Sequence, residues 1–402
     1  MKYLILVGDG MADRPLKELD GKTPLEAAKT PNMDFIAKNG SIGLVKTIPE
    51  GLEPASDVAN LALLGYDPRK YYTGRAPLEA ANMGVPLNEN MIAFRCNLVT
   101  VSKDKMEDYS AGHISSKEAS TVIKFIDEKL GTEYIHFYPG VSYRHLMVIE
   151  CKDPQQRDEL NKIKCVPPHN ITGKSISKNL PKGKSADVLL KLMRSSRDLL
   201  EKHEVNNVRI DLKENPANMI WLWGQGLKSG IPLFSDKFGM EGSVISAVDL
   251  VKGIAKISGL AALNVPGATG YYDTDYSAKA RYALEALKDK DFVYVHVEAP
   301  DEAGHNGDIR AKITAIENFD SKVVGAVLEH FENNKDFRVM VLPDHATPIS
   351  VRTHTSEPVP FAMYGKGVEA AQASGFSESA AASSKLNFDS GAGLTEYFLK
   401  KV

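Results

Sequence analysis

Cysteine is scarce in this sequence: Cys96, Cys151 and Cys165 are the three in 402 residues. They lie far apart, with neither zinc-ligand spacing nor the even count of a disulfide framework. The expectation is reduced thiols in a cytoplasmic protein. Long apolar runs are also missing. None approaches the ~20 residues needed to cross a bilayer, and Tyr3–Val7 is too short for the apolar region of a signal peptide. No membrane partner is therefore expected. Nor does one sign of charge dominate. Lys and Arg number 49 against 52 Asp and Glu, a net charge of −3, and the two signs are mixed along the chain. That leaves no basic face for nucleic acid. There is no GxxxxGK[ST] phosphate loop and no dinucleotide glycine fingerprint. Repeats, long low-complexity tracts and coiled-coil heptads are absent as well, so the oligomeric state is not legible.

What remains is an ordinary globular composition, 43% hydrophobic and 25% charged, sufficient for a sizeable core. The length suggests two or three domains. Lys2–Val7, Asp291–Val297 and Phe337–Leu342 read as buried strands. Pro24–Lys38 and Ile309–Phe331 read as helices, the latter from apolar residues at helical spacing. Strands alternating with helices imply an α/β fold, a mainly parallel sheet with helices on both faces. In such sheets ligands bind outside the C-terminal strand ends. The middle of the chain differs. Met91–Val101 and His145–Cys151 read as strands, Ser116–Lys129 and Ala186–His203 as helices, and Val166–Gly183 as loop. The expectation is an inserted α+β domain over Glu89–Gly226, with residues 1–88 and 227–402 forming a discontinuous main domain. The Ala- and Ser-rich stretch Glu369–Lys385 reads as a mobile surface loop.

Four distant segments present the same ligand types. Asp9 follows the first strand, in GDGMADRP. Ser56 lies in ASDVANLALLG. Asp301 and His305 lie in EAPDEAGHNGD, and Asp344 and His345 in LPDHATP, with His354 close behind in RTHTSEPVP. Taken singly, each has a structural reading: an Asp after a strand is commonly a turn residue, and a Ser opening a helix is commonly an N-cap. Together they repeat one chemistry at successive strand ends. Asp and His suit zinc, manganese and similar metals. Asp301 and His305 are four residues apart, which puts both on one side of a helical turn. Two ions about 3.5–4 Å apart can clamp the attacking and leaving oxygens of a phosphoryl transfer. Ser56 opens an expected helix over Asp57–Leu64, where the N-terminus favours an alkoxide or phosphate.

At these residues the sequence resembles the cofactor-independent phosphoglycerate mutases of the alkaline phosphatase superfamily, and their archaeal-type branch most closely. The stretches that carry the resemblance include LVGDGMADRP, PASDVANLALLGYDP, YYTGRAPLEAANMGV, SAGHISS, EGSVISAVDLVKGI, VPGATGYYDTDY, VEAPDEAGHNGD and PDHATP. The resemblance implies an alkaline-phosphatase-like α/β domain carrying an inserted substrate-binding or lid domain. It implies two divalent metal ions, usually manganese, with zinc, cobalt or magnesium as substitutes. One would be held by Asp301, His305 and His354, and the other by Asp9, Ser56, Asp344 and His345.

The implied reaction interconverts 3-phosphoglycerate and 2-phosphoglycerate, in glycolysis and gluconeogenesis, through a phosphoserine at Ser56 and without bisphosphoglycerate. Substrate contacts would come from His113, which matches the family's substrate-side histidine, with Arg144, Arg75 and Lys252 as further candidates. One departure stands out. Archaeal relatives tend to carry an arginine near the end of the insertion, where this chain has Trp223 in MIWLWGQG. A homoserine kinase-like phosphotransferase and a metal-dependent phosphomonoesterase are alternatives on the same scaffold. A non-catalytic binding protein would be expected to have lost Ser56 or several ligands, and all seven are present.

Overall fold

The structure is a computed structural model that describes residues 1–371 and 373–400. It divides into two compact units, one formed by Met1–Tyr72 with the chain from Gly230 onward, the other by Thr73–Ser229. The strands, in chain order, are β1 (Lys2–Gly8), β2 (Ser41–Val45), β3 (Met91–Ser102), β4 (Lys105–Asp108), β5 (Ile135–Tyr138), β6 (Arg144–Glu150) and β7 (Met219–Leu227). They continue as β8 (Gly242–Ile245), β9 (Ala261–Leu263), β10 (Phe292–Val297), β11 (Phe337–Leu342), β12 (Val359–Gly365) and β13 (Leu386–Phe388).

In the first unit eight strands form one sheet in the order β13-β2-β12-β11-β1-β10-β8-β9. β1 runs parallel to both β10 and β11, whereas β12 is antiparallel to β11 and β2. The apolar runs of β1, β10 and β11 reflect burial on both faces. Leu4, Leu6, Val293, Val295, Val339 and Val341 share one core with the helices Pro31–Asn39, Tyr276–Ala286 and Ile309–Phe319. On the opposite face Tyr3 packs edge-on to Phe398, 5.9 Å between ring centroids, and the Tyr294 hydroxyl donates to Asn60 Oδ1 at 2.5 Å. The mainly parallel sheet with helices on both faces is thus as the sequence implied.

Three local expectations need correction. The helix expected over Pro24–Lys38 is two helices, Pro24–Ala27 and Pro31–Asn39. Pro31 cannot continue the ladder and pushes Thr30 out of helical backbone, to φ −126° and ψ 54°. The helix over Ile309–Phe331 contains a π turn at Asp320–Val324. There the Asp320 carboxylate accepts from the N–H groups of Asn32 and Met33, satisfying a helix start to which Thr30 supplies no side-chain cap. Glu369–Lys385 is no simple loop: Ser377 caps a helix over Glu378–Ala382, and Phe376 and Ala381 are buried in the core.

The second unit is an antiparallel sheet in the order β4-β3-β6-β5, with β7 also paired to β3. The helices Ser116–Leu130 and Ala186–Leu200 cover it and bury Val122, Ile126, Leu189 and Met193 against Phe94, Cys96 and Met147. This unit starts earlier than Glu89, at Thr73. The helix Arg75–Met83 packs Ala76 and Ala80 against Ala93, Leu146 and Val148, and so belongs to the second core.

Candidate active site

Parallel alignment of β1, β10 and β11 brings their C-terminal ends to one edge of the sheet. Asp9 follows β1, and its N–H donates to Val297 O at the end of β10 at 3.0 Å. After β10 the helix Ala299–Asn306 carries Asp301 and His305. After β11 come Asp344 and His345, both with no exposed surface. The helix Ser56–Leu63 begins with Ser56 itself. Its N-cap is Ala55, which offers no side-chain cap, so Ser56 Oγ is not spent on capping. It lies 3.0 Å from His345 Nε2 instead.

All seven residues of the sequence-derived ligand set come together in this unit. Asp301 Oδ2 is 3.1 Å from His305 Nε2, and its Oδ1 is 3.4 Å from His354 Nε2. The two Nε2 atoms are 3.0 Å apart. Each ring turns its other nitrogen to a backbone carbonyl: His305 Nδ1 to Arg352 O at 3.1 Å, His354 Nδ1 to Pro54 O at 3.4 Å. That arrangement orients metal-binding imidazoles. Beside them His345 Nε2 is 3.4 Å from Asp9 Oδ1. Asp344 Oδ1 accepts from Gly10 N at 3.1 Å and His345 N at 2.9 Å, and its Oδ2 accepts from Asn60 Nδ2 at 2.7 Å. Asn60 also donates to Ser56 O at 2.8 Å, tying the serine's turn to the loop after β11.

The charges call for a cation. Burial and the charges of Asp344 and Asp301 push Asp9 well above the carboxylate range. Burial pushes Asp301 up too, but hydrogen bonds to His305 and His354 outweigh it and hold it well below that range. The hydrogen bond to Asp301 raises His305 to about 9, while burial lowers His345 to about 4. Asp9 Oδ1 is buried without a hydrogen-bond partner. A carboxylate oxygen left this way is costly unless a cation compensates it. Asp301, His305 and His354 place ligand atoms within 4.8 Å of one another, as do Asp9, Asp301 and His345. The donor set fits borderline divalent metals.

The sequence reading missed several residues here. His296 on β10 is fully buried and joins Asp9 and Asp344 in a third convergent group. Glu298 and Lys279 form a buried ion pair behind it. The signal available was a single histidine in the otherwise apolar and aromatic run FVYVHV.

Of the expected substrate residues, His113, Arg144 and Arg75 lie in the second unit and Lys252 in the first, half-buried on the helix Asp249–Ile257. In the second unit a chain of rings runs from His113 to Trp223. His113 is 6.2 Å from Tyr143, Tyr143 5.7 Å from Tyr109, Tyr109 6.1 Å from His169, and His169 5.3 Å from Trp223. The Arg144 guanidinium lies 5.9 Å from the Tyr143 ring, and burial, with the charges of Arg75 and Arg95, lowers His169 to about 4. Arg95, which the sequence reading passed over, lies 4.3 Å over Trp223 and is paired with Glu79. An arginine thus reaches the Trp223 position from the neighbouring strand.

The sequence model of the 2,3-bisphosphoglycerate-independent phosphoglycerate mutases matches residues 37–206. A mutase of that name from Methanosarcina barkeri is 54% identical over 366 residues, covering 90% of both chains. The chain belongs to the 2,3-bisphosphoglycerate-independent phosphoglycerate mutase family. A probable mutase of the family from Geobacter sulfurreducens is 49% identical over 406 residues and covers both chains completely. Among solved structures, a protein from Pyrococcus horikoshii superposes with a TM-score of 0.83 at 30% identity, covering 100% of this chain and 98% of that one. The cofactor-independent phosphoglycerate mutase of Thermoplasma acidophilum gives a TM-score of 0.67 at 26% identity, covering 99% of each. The family's fold is therefore present over the whole chain. No helix among the described residues is long and apolar enough to cross a membrane.

Proposed function

We propose that this chain interconverts 3-phosphoglycerate and 2-phosphoglycerate without bisphosphoglycerate, through a phosphoserine at Ser56. The observation that carries the reading is the placement of Ser56 Oγ. It sits in the first turn of a helix and 3.0 Å from His345 Nε2, beside the convergent Asp and His side chains. The first-turn N–H groups of a helix have no partners within it and favour an anion. A nucleophile placed there can attack the phosphorus of 3-phosphoglycerate. The bond between phosphorus and the C3 oxygen breaks as the bond to Ser56 Oγ forms, and the proton given up by the serine ends on that oxygen. The retained glycerate then presents its 2-hydroxyl, which takes the phosphoryl group and frees the serine.

Asp301, His305 and His354 would hold one divalent cation, and Asp9, Ser56, Asp344 and His345 a second; manganese suits both sets. When bound, such ions neutralise charge on the transferring phosphoryl group. Arg144 and Arg75 are proposed to grip the substrate's phosphate and carboxylate, since guanidinium forks match both, with His113 holding the phosphate or moving a proton and Lys252 as a further cation. Water must be kept from the phosphoserine, because its hydrolysis would release phosphate and end the cycle.

The test is to strip divalent metals, restore manganese, and supply 3-phosphoglycerate alone, coupling product to enolase. Metal-dependent turnover that vanishes in Ser56→Ala supports the proposal. Free phosphate without 2-phosphoglycerate would make the enzyme a phosphomonoesterase. Inactivity with phosphoglycerate but phosphorylation of homoserine by ATP would make it a kinase.

A further inference from the structure

His296 is a buried histidine for which the expected ligand set has no use. It sits on β10 with no exposed surface. Its Nδ1 faces Glu298 Oε1 and Ser246 Oγ, each at 3.3 Å. Glu298 is a fixed anion: Lys279 pairs with it, Ser246 Oγ donates to it at 3.0 Å and Ala247 N at 2.6 Å. A carboxylate behind Nδ1 holds the proton on that nitrogen and turns the lone pair of Nε2 the other way. Nε2 then faces two carboxylates, Asp9 Oδ2 at 3.3 Å and Asp344 Oδ2 at 3.5 Å, with Asn60 Nδ2 at 3.4 Å, an amide that also donates to Asp344 Oδ2 at 2.7 Å.

A lone pair among carboxylate oxygens is repulsive unless a proton or a metal cation lies between them. The spacing suits one. Ligand atoms about 2.1 Å from a metal stand roughly 3.0–3.5 Å from one another. Asp9 supplies an independent sign, because its Oδ1 is buried without a hydrogen-bond partner while its Oδ2 faces His296. The carboxylate–imidazole–cation arrangement is the one that fixes tautomer and orientation in metal sites.

We infer that His296 Nε2 is a direct ligand of the divalent cation held by Asp9 and Asp344, with Glu298 as its positioning residue. The inference rests on the two-cation reading above. It gives that cation a second imidazole besides His345 and biases the site toward manganese, zinc or cobalt over magnesium. Lys279 then neutralises Glu298, so that the supporting carboxylate does not itself compete for the metal.

The experiment is a manganese titration of the metal-stripped full-length protein, with free ion read by electron paramagnetic resonance and bound metal counted by atomic emission. Histidine nitrogen couplings to the bound ion are recorded in parallel. The wild type is expected to bind two ions. In His296→Leu one site should weaken by at least about tenfold and lose a nitrogen coupling, with the other site within twofold. Glu298→Gln should weaken the same site by about tenfold. Thermal unfolding of the metal-free variants checks that they fold. If a variant does not fold, wild-type protein labelled with [15N]histidine still reports the number of imidazoles on each ion. Only one imidazole on one of the two ions, or a His296→Leu site as tight as or tighter than wild type, would overturn the inference and make His296 a protonated counter-ion. A wild type that binds no divalent ion would bring down the two-cation reading along with it.

Discussion

Lys312 Nζ lies 2.7 Å from Asp13 Oδ2, and solvent reaches neither side chain. The same ammonium donates to Thr347 O at 2.8 Å and Ala12 O at 3.3 Å. It therefore pins the loop after β1, which carries Asp9, to the loop after β11, which carries Asp344 and His345. Asp13 contributes further by accepting from Ile349 N at 3.1 Å. Breaking a buried pair from one side leaves an uncompensated charge and costs about 3–5 kcal/mol. Lys312→Met is expected to lower the urea midpoint of the metal-free protein accordingly, and to weaken manganese binding because both ligand loops lose their anchor. In the Asp13→Asn/Lys312→Met double variant the stability loss should be smaller than in Lys312→Met alone. A double variant no more stable than Lys312→Met would contradict this account.

Gly10 is the residue between Asp9 and the rest of the loop, and its φ is +61°. A Cβ built there would lie 2.5 Å from Asp301 Oδ1 and 2.6 Å from Thr347 Oγ1. Gly10→Ala adds left-handed strain to a clash with the Asp301 carboxylate. The expected result is a fall in metal affinity at the Asp301 group, larger than the accompanying loss of stability. Isothermal titration of manganese alongside thermal unfolding separates the two. Gly21 (φ +81°) has open space around the same hypothetical Cβ, so Gly21→Ala should bind metal as the wild type does.

How much of this was legible in the sequence depended on how local the signal was. The i, i+4 spacing of Asp301 and His305 and the adjacency of Asp344 and His345 belong to single segments next to recognisable strands. The parallel sheet then brought them together as expected. His296 was hidden because its local partner is Glu298 alone, two residues on, while Asp9, Asp344 and Ser246, which it also faces, are remote in sequence. The start of the second unit was misplaced for a related reason. Ala76 and Ala80 on the helix Arg75–Met83 look like any small-residue helix face, and only the pairing of β3 with β6 shows what they cover. The break at Pro31 was legible, since a proline inside a helical pattern argues for one.

Ala111, Gly112 and His113 are three consecutive residues with left-handed backbone, at φ 49°, 66° and 51°. Such a run is unfavourable for non-glycine residues, and two side chains hold it. Asp108 accepts from Ser110 N and Oγ, Gly112 N and Asn215 Nδ2, all within 2.7–2.9 Å. Buried Arg209 donates to Ala111 O at 2.8 Å and Asn215 O at 2.9 Å. If His113 contacts substrate, freeing this loop should raise KM for 3-phosphoglycerate more than it lowers kcat. Asp108→Ala is expected to raise KM by about tenfold, the equivalent of about 1.4 kcal/mol of lost binding. It should also speed hydrogen exchange of the Gly112 amide, and Asp108→Asn should restore part of both. An unchanged KM with accelerated exchange would remove His113 from the substrate contacts.

Glu378 offers a pH test of the Asp13 loop. Its Oε1 accepts from Asp13 N at 3.0 Å and its Oε2 from Thr23 Oγ1 at 2.8 Å. Burial, aided by the charge of Glu26, outweighs these hydrogen bonds and pushes its pKa up from 4.5 to about 6. A carboxyl whose folded pKa is raised binds its proton more tightly in the folded state. The stability this contributes is complete below about pH 4.5 and is lost as pH rises through about 6. The shift corresponds to about 2 kcal/mol. Glu378→Gln keeps a neutral acceptor for Asp13 N, and its amide can donate to the Thr23 hydroxyl. The other carboxylates titrate in both proteins, so the difference between the two urea midpoints isolates Glu378. Relative to Glu378→Gln, the wild type should lose stability between pH 4.5 and 6.5 and then run parallel to it. A difference that stays flat across that window would mean Glu378 ionises in the folded protein as freely as in the unfolded chain.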